Sequence, residues 1–414
     1  MEIDEDIVIV GAGISGLAAS LGLLRYGLHS LVLESSESLR STGFALMLWT
    51  NAWRSLDALG VGDHLRQCSL PFRGFQTADV NTGLPTEELI LQESTYGNYE
   101  ARCVRRKDLL ETLAKELPEG TIRYSSKVVS IEKSGHLKLV HLADGCVIRA
   151  KVLIGCDGVN SVVAKCLGFK KPIGVGRSAI RGYVEFPAAH GFKPQLYMYF
   201  GGGVRFGFAP CDDKSIYWFC TFKPSTATGY ENMSDNPVLL KEFVLSKTAN
   251  VPKEVSGIVE RTKLESISCA ELKMRLPWDI LIRDFAKSSI CLVGDALHPM
   301  TPDLGQGGSS ALEDCSILAR CIGESFPGMM SRKFEEKRDD VDVKIAAFNK
   351  GLENYAKERR WRSFSLISTA YMVGLIQESE NKLIRFFRDR FFSKYTGATV
   401  LRMADFDCGK LNIP

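Results

Sequence analysis

The stretch Asp6-Ile7-Val8-Ile9-Val10-Gly11-Ala12-Gly13-Ile14-Ser15-Gly16 runs from continuous apolar residues into three glycines at G-x-G-x-x-G spacing. Such an apolar run is what a strand buried on both faces requires. Gly11 permits a tight turn, Gly13 lets the backbone approach a pyrophosphate, and Gly16 lets the next helix pack closely on the strand. Leu17 to Leu24 continues as an apolar helix whose first N–H groups favour an anion, and Gly27 suits its end. Ser30 to Leu33 reads as a second strand closed by Glu34. An acid about 20 residues beyond such glycines binds a ribose hydroxyl, and it disfavours a 2′-phosphate. The unit therefore reads as a dinucleotide clamp, although the glycines alone do not separate FAD from NAD.

A second signal lies far downstream, in Ile290-Cys291-Leu292-Val293-Gly294-Asp295-Ala296. It reads as another buried strand, ending on one acid. Shortly after it, Pro302-Asp303-Leu304-Gly305-Gln306-Gly307-Gly308 is a glycine-rich loop entering a helix. Its backbone N–H groups suit a negatively charged ligand.

Between and beyond these signals the chain divides by pattern. Residues 51–67 read as a helix broken at Gly60, and Arg105 to Leu117 as a helix stopped by Pro118. Residues 121–149 read as an antiparallel meander with strands Arg123–Ile131 and Leu137–Leu142 turning at Asp144-Gly145, and Lys151–Gly155 as a further buried strand. Residues 176–222 are aromatic and alternate like strands, which suits either a plain core sheet or the wall of a substrate cavity. From Ser309 the chain reads helical, with Ser310 and Glu313 at capping-box spacing. Arg359-Arg360-Trp361-Arg362 reads as a solvated helix face, and amphipathic Lys382–Tyr395 as a helix packed on the body.

Composition narrows the classes further. At 414 residues there is length for two or three domains, and a net charge of +3 spread along the chain leaves no nucleic-acid footprint. The 12 cysteines include no C-x-x-C pair, so no zinc ribbon or thioredoxin motif is expected, and reduced thiols in a cytosol-like compartment are. No metal site is expected. No apolar stretch approaches the roughly 20 residues of a membrane span. With no signal or transit segment ahead of the first strand, a cytoplasmic location is expected, and a plastid one only if a targeting segment was removed.

Three motifs recur in order: Gly11-Ala12-Gly13-Ile14-Ser15-Gly16, Gly155-Cys156-Asp157-Gly158-Val159-Asn160-Ser161, and Gly294-Asp295-Ala296-Leu297-His298-Pro299-Met300-Thr301-Pro302. The set resembles the single-component (group A) FAD-dependent aromatic-hydroxylase family, which includes p-hydroxybenzoate hydroxylase, salicylate hydroxylase and zeaxanthin epoxidase. Leu39-Arg40-Ser41-Thr42-Gly43-Phe44 through Trp53, and Ala404-Asp405-Phe406-Asp407-Cys408-Gly409, look like its plant branch. The implied fold is α/β: a Rossmann-like, p-hydroxybenzoate-hydroxylase-like FAD-binding domain, an inserted mostly antiparallel substrate sheet, and a C-terminal helical region. The FAD-binding domain is expected in segments 1–74, 100–175 and 266–330, the substrate domain in 75–99 and 176–265, and the helical region in 331–414.

The resemblance also implies roles. Gly11, Ala12, Gly13, Ile14, Ser15 and Gly16 hold the dinucleotide, and Glu34 with Ser35 the adenosine ribose. Arg40 and Arg106 contact the phosphates or ribityl chain, and Val129 joins the cofactor set. Asp157 and Gly158 serve both FAD and the nicotinamide donor, with a plain N-cap as the alternative for Asp157. Gly294 and Asp295 hold a ribityl hydroxyl, and Pro302, Gly305, Gln306, Gly307 and Gly308 pass beside the isoalloxazine ring.

Family chemistry would use NADPH or NADH and O2, through a flavin C4a-hydroperoxide, to hydroxylate or epoxidise a small apolar or aromatic metabolite. The flavin carries that chemistry, so no catalytic side chain is assigned, and His298 reads as structural. Met47, Trp49, Tyr199, Phe208 and Trp218 are the substrate candidates, with Arg181 or Arg205 for a carboxylate. A related flavoprotein without oxygen insertion, and a non-redox binding protein on the same fold, are the alternatives. The sequence leaves monomer or homodimer open.

Overall fold

The computed structural model describes residues 2–39, 44–91, 93–94, 97–224, 233–326, 338–377 and 393–411. Apolar Ile7–Val10 becomes the centre of an eight-stranded sheet ordered Val128–Ser134, Leu137–Leu142, Val147–Gly155, Glu2–Val10, Leu31–Leu33 and Ile122–Arg123. Ile290–Leu292 joins beside Val147–Gly155, and Ala286–Lys287 lies outside it. The central pairings are parallel, with Val10 opposite Gly155 and Gly155 opposite Leu292. Gly11, Cys156 and Val293 therefore leave the sheet side by side. Ligands of open parallel sheets bind at this carboxyl edge, so register alone brings the three motif loops together.

A second sheet of seven strands runs Ile267–Met274, Ile173–Glu185, Ser215–Phe222, Val204–Pro210, Leu196–Gly201, Gly74–Asp79 and Pro85–Ile90. It is antiparallel except where Leu196–Gly201 meets Gly74–Asp79. One of its faces packs with the helices Pro237–Lys247 and Lys253–Arg261 into a separate apolar core. The architecture is thus mixed α/β, with a Rossmann-like parallel sheet, a mostly antiparallel sheet and C-terminal helices.

The helix Gly307–Glu324 packs against both Ile14–Arg25 and the 40-residue helix Arg338–Gln377. Small residues allow the approach. A Cβ on Gly22 would lie 2.7 Å from the Ala319 Cβ, and one on Gly351 would lie 2.8 Å from the Ile322 Cα. No helix among the described residues is long and apolar enough to cross a membrane.

Local readings differ in instructive ways. The 51–67 helix does break at Gly60, at φ 80°, between Thr50–Leu59 and Gly62–Gln67, whereas the other readings change. The expected Arg123–Ile131 strand is split, because Ile122–Arg123 belongs to the parallel edge and Ser125 turns at φ 51° before Val128–Ser134 begins. The capping box is overturned. The helix starts at Gly307, which places Ser310 and Glu313 inside it as buried polar partners of other elements. The basic run is also misread: Arg359 is fully buried and Arg362 mostly so, while Trp361 is exposed. The Lys382–Tyr395 reading lies outside the described residues up to 392; from Ser393 the backbone is helical.

Candidate active site

The three loops and the second sheet enclose a cavity of about 1110 Å³, above the roughly 300–1,000 Å³ common for small-molecule sites. At one end the Glu34 carboxylate is buried and held in place. Its Oε2 accepts the Ala12 N–H at 3.0 Å, and its Oε1 accepts the Ser36 N–H at 2.9 Å. The glycines work at close range. A Cβ on Gly16 would sit 1.8 Å from the Gly11 carbonyl oxygen, so helix and turn meet there only without a side chain. Gly11 itself has φ 100° and a Cβ there would lie 2.6 Å from the Cys156 oxygen. Gly11, Ala12, Gly13, Ile14 and Ser15 line the cavity, as do Glu34 and Ser35. Gly16 does not line it and acts through packing.

Midway along the cavity stands Arg106. Its Nε is buried with no hydrogen-bond partner among the described residues, and a Cβ on Gly13 would have the Arg106 Nη2 as its near neighbour at 3.9 Å. Burial lowers the Arg106 pKa, and the Asp295 charge works against that. A guanidinium left partly unpaired beside a helix N-terminus is a place for phosphate oxygens. Arg40 lies outside the described residues.

Asp157 lines the cavity, yet its carboxylate is committed to capping. Oδ2 accepts the Val162 N–H at 2.6 Å and Oδ1 accepts the Ser161 hydroxyl at 2.5 Å, at the start of the helix Val162–Cys166. Its pKa is raised by burial against these bonds. Gly158 follows at φ 75° and also lines the cavity. Val129 needs correction: it is half exposed on the strand, and Val128, of opposite parity, faces the cavity with Ser126 and Lys127.

At the far end Asp295 opens onto the cavity and is otherwise enclosed by protein. Enclosure raises its pKa, and His298, Arg106 and Arg181 pull it back down. Gly294 is beneath the surface, at φ 61°, with its N–H donated to Asp314 Oδ2 at 2.8 Å. Pro302, Gly305, Gly307 and Gly308 line the cavity. Gln306 does not; it is fully buried and its Oε1 accepts from Asn51 Nδ2 at 2.9 Å.

Beneath this loop lies a charge network that sequence reasoning missed. Arg359 donates to Asp314 Oδ1 at 2.5 Å and Glu313 Oε2 at 2.6 Å, and Arg362 donates to Glu313 Oε1 at 2.7 Å. Asp314 Oδ2 also meets His298 Nε2 at 2.7 Å. Burial alone would raise both carboxyls, but Arg362 and Arg359 hold Glu313 below its ordinary range, and His298 and Arg359 hold Asp314 below its own. His298 is thus structural and joins the support of the Gly294–Asp295 turn. The available signal was spacing: Arg359 and Arg362 are i, i+3 and share a helix face.

The substrate half of the cavity corrects the aromatic candidates. Ala179, Arg181, Tyr217, Phe219 and Thr221 face it from the second sheet, with Ala45 and Met47 opposite. Tyr199, Phe208 and Trp218 are on the other face, in the separate core, and the Trp218 Nε1 donates to Thr262. The physical reason is the two-residue period of a strand. Trp49 is buried away from the cavity, stacked on Phe75 at 5.5 Å, with its Nε1 donating to the Gly305 carbonyl at 3.1 Å. Arg205 is engaged with Asp303, which also takes both Nη groups of Arg177. Among the described residues no cluster of three or more His, Cys, Asp or Glu could hold a metal ion.

The cavity is graded for a dinucleotide: an anchored acid, a buried guanidinium nitrogen unpaired among the described residues, an acid exposed to the cavity, and a glycine loop at a helix N-terminus. The comparisons agree. The family described as FAD binding domain matches residues 4–336. Monooxygenase 2 of Arabidopsis thaliana is 50% identical over 406 residues, covering 98% of each chain. Monooxygenase 1 of the same plant is 34% identical over 411 residues, covering 98% of this chain and 99% of the relative. In fold, Klebsiella pneumoniae HpxO, solved with FAD and uric acid, superposes with a TM-score of 0.79 at 22% identity, over 98% of this chain and 96% of that one. The chain belongs to the FAD-binding-domain family and is a member of its FAD-dependent monooxygenases.

Proposed function

We propose that this protein uses NADPH or NADH together with O2 to insert one oxygen atom into a small apolar or aromatic metabolite. The observation that carries the reading is continuity: one cavity joins the Glu34 end, Arg106, Asp295 and the Gly305–Gly308 loop to an aromatic wall. Bound FAD supplies the redox chemistry, accepting hydride and activating O2.

The side chains position and shield. Glu34, already fixed by two backbone N–H groups, would accept ribose hydroxyls. The N–H groups of residues 11–15 and the Arg106 guanidinium would hold the phosphates. Asp295 would accept a ribityl hydroxyl. The N-terminus of the Gly307–Glu324 helix, with Gly307 and Gly308 open to the cavity, would favour negative charge on the ring. Apolar Ala45, Met47, Ala179 and Phe219 would exclude water from the reacting atoms. Arg181 and the Tyr217 hydroxyl interact and both face the cavity, so together they would meet a polar oxygen of the substrate.

The test is turnover with labelled oxygen. Purified yellow enzyme should oxidise NADPH or NADH faster with one of a panel of phenols, terpenes and carotenoids. Mass spectrometry should then find one atom from 18O2 in the product. Stimulated oxidation with no label in product would point to a flavoprotein without oxygen insertion. Protein that neither carries nor takes up flavin would point to a binding role.

A further inference from the structure

Two thiols from different parts of the molecule meet behind the substrate wall. Cys103 sits on the strand Arg102–Arg105, directly opposite Met47. Cys211 follows the strand Val204–Pro210 of the second sheet. Their sulfurs are 3.4 Å apart, and neither forms a disulfide. Both are buried in one apolar cluster with Ala45, Trp49, Ala209, Tyr217 and Leu304. Met47 and Tyr217 line the cavity from opposite sides, so the thiol pair lies where those two walls join.

The surroundings hold both sulfurs in position. The Cys211 N–H is donated to the Ser215 carbonyl at 2.9 Å, and its own carbonyl accepts the Leu70 N–H at 3.2 Å. Cys103 is fixed within the ladder to Met47. A disulfide requires closing that 3.4 Å separation to roughly 2.05 Å.

We propose that Cys103 and Cys211 form a reversible oxidation site, converted to a disulfide by hydrogen peroxide and restored by thiol reductants. The chemistry balances in two steps. One thiol takes an oxygen atom from H2O2 to become a sulfenic acid, and water leaves. The second thiol then attacks that sulfur, and a second water leaves, so two electrons and two hydrogens pass from the thiols to peroxide. The bond would tie the Met47 strand pair to the end of the Val204–Pro210 strand and fix the distance between the cavity walls. Burial keeps the Cys103 thiol protonated by raising its pKa. The reaction with peroxide is therefore slow, and faster at higher pH.

The site as a modification stands independently of the proposed monooxygenase activity, because its first readout is mass. Holoenzyme is treated with hydrogen peroxide, alkylated and digested without reduction. The expected product is a Cys103–Cys211 linked peptide pair about 2 Da lighter than the two reduced peptides. It should disappear after dithiothreitol. In Cys211→Ser the link is lost and Cys103 is trapped by dimedone as sulfenic acid. Where turnover has been found, peroxide should lower it, dithiothreitol should restore it, and Cys211→Ser should blunt the loss. Oxidation of other cysteines with this pair still reduced would overturn the proposal. The mapping on unaltered protein decides the matter even if the variant fails to fold.

Discussion

Asp295 illustrates how a single residue is placed against its own comfort. Its enclosure disfavours the charged form, and the nearby His298, Arg106 and Arg181 offset that only in part. A carboxyl with a raised folded pKa lets stability be highest when it is protonated, and stability falls as pH rises through that folded value. Asp295→Asn should therefore raise the melting temperature of flavin-free protein at neutral pH while weakening FAD binding. Differential scanning fluorimetry with and without FAD checks both halves. Glu313 and Asp314 run the other way, because Arg359, Arg362 and His298 hold them below the ordinary range. Their contribution is present at neutral pH and is lost as pH falls below the ordinary carboxylate range. Arg359→Met removes the one guanidinium that Glu313 and Asp314 share, leaving them only Arg362 and His298, and should cost about 3–5 kcal/mol. Denaturant titration at neutral pH would show this, and a loss under 1 kcal/mol would contradict it. Gly16→Ala should fail at the flavin step, since its methyl would overlap the Gly11 carbonyl; flavin content of the purified variant is the measure.

At the scale of elements, the strand and helix that carry the glycines were legible because period, turn chemistry and the acid agreed. The second sheet was legible as a sheet but not as a wall. Ile216, Trp218, Cys220 and Phe222 alternate with Tyr217, Phe219 and Thr221, and both sets are largely apolar. Large aromatics drew the reading to Phe208 and Trp218, which are paired across the ladder in the core. The better signal was the hydroxyls: the parity with Tyr217 and Thr221 is the one that faces the cavity. Two substitutions separate the faces. Phe208→Ala should cost about 3–5 kcal/mol of stability with KM little changed. Phe219→Ala should raise KM with a smaller loss of stability. Parallel KM effects from the two variants would refute the assignment of faces. The N-cap reading of Ser310 failed for a related reason: glycines began the helix three residues earlier, and no short-range pattern reveals a partner on a distant helix.

The molecule as a whole is closed by its C-terminal helix. The family match ends at residue 336, yet Arg359 and Arg362 come from the Arg338–Gln377 helix to neutralise two acids beneath the flavin loop. The tail continues this role, since Arg362 also reaches the Met403 carbonyl at 2.6 Å and Arg54 pairs with Asp405 at 3.0 Å. Long-range pairing of this kind was invisible in a basic run that looked solvated. A chain ending at residue 336 should accordingly be recovered without FAD and in largely insoluble form. The central claim is that segments nearly three hundred residues apart hold opposite ends of one FAD. A crystal structure of the flavin-loaded protein tests it most directly. The account predicts the adenosine ribose within about 3 Å of the Glu34 carboxylate and a ribityl hydroxyl equally close to Asp295. Electron density with Asp295 out of hydrogen-bond reach of the coenzyme held by Gly11–Ser15 would contradict it.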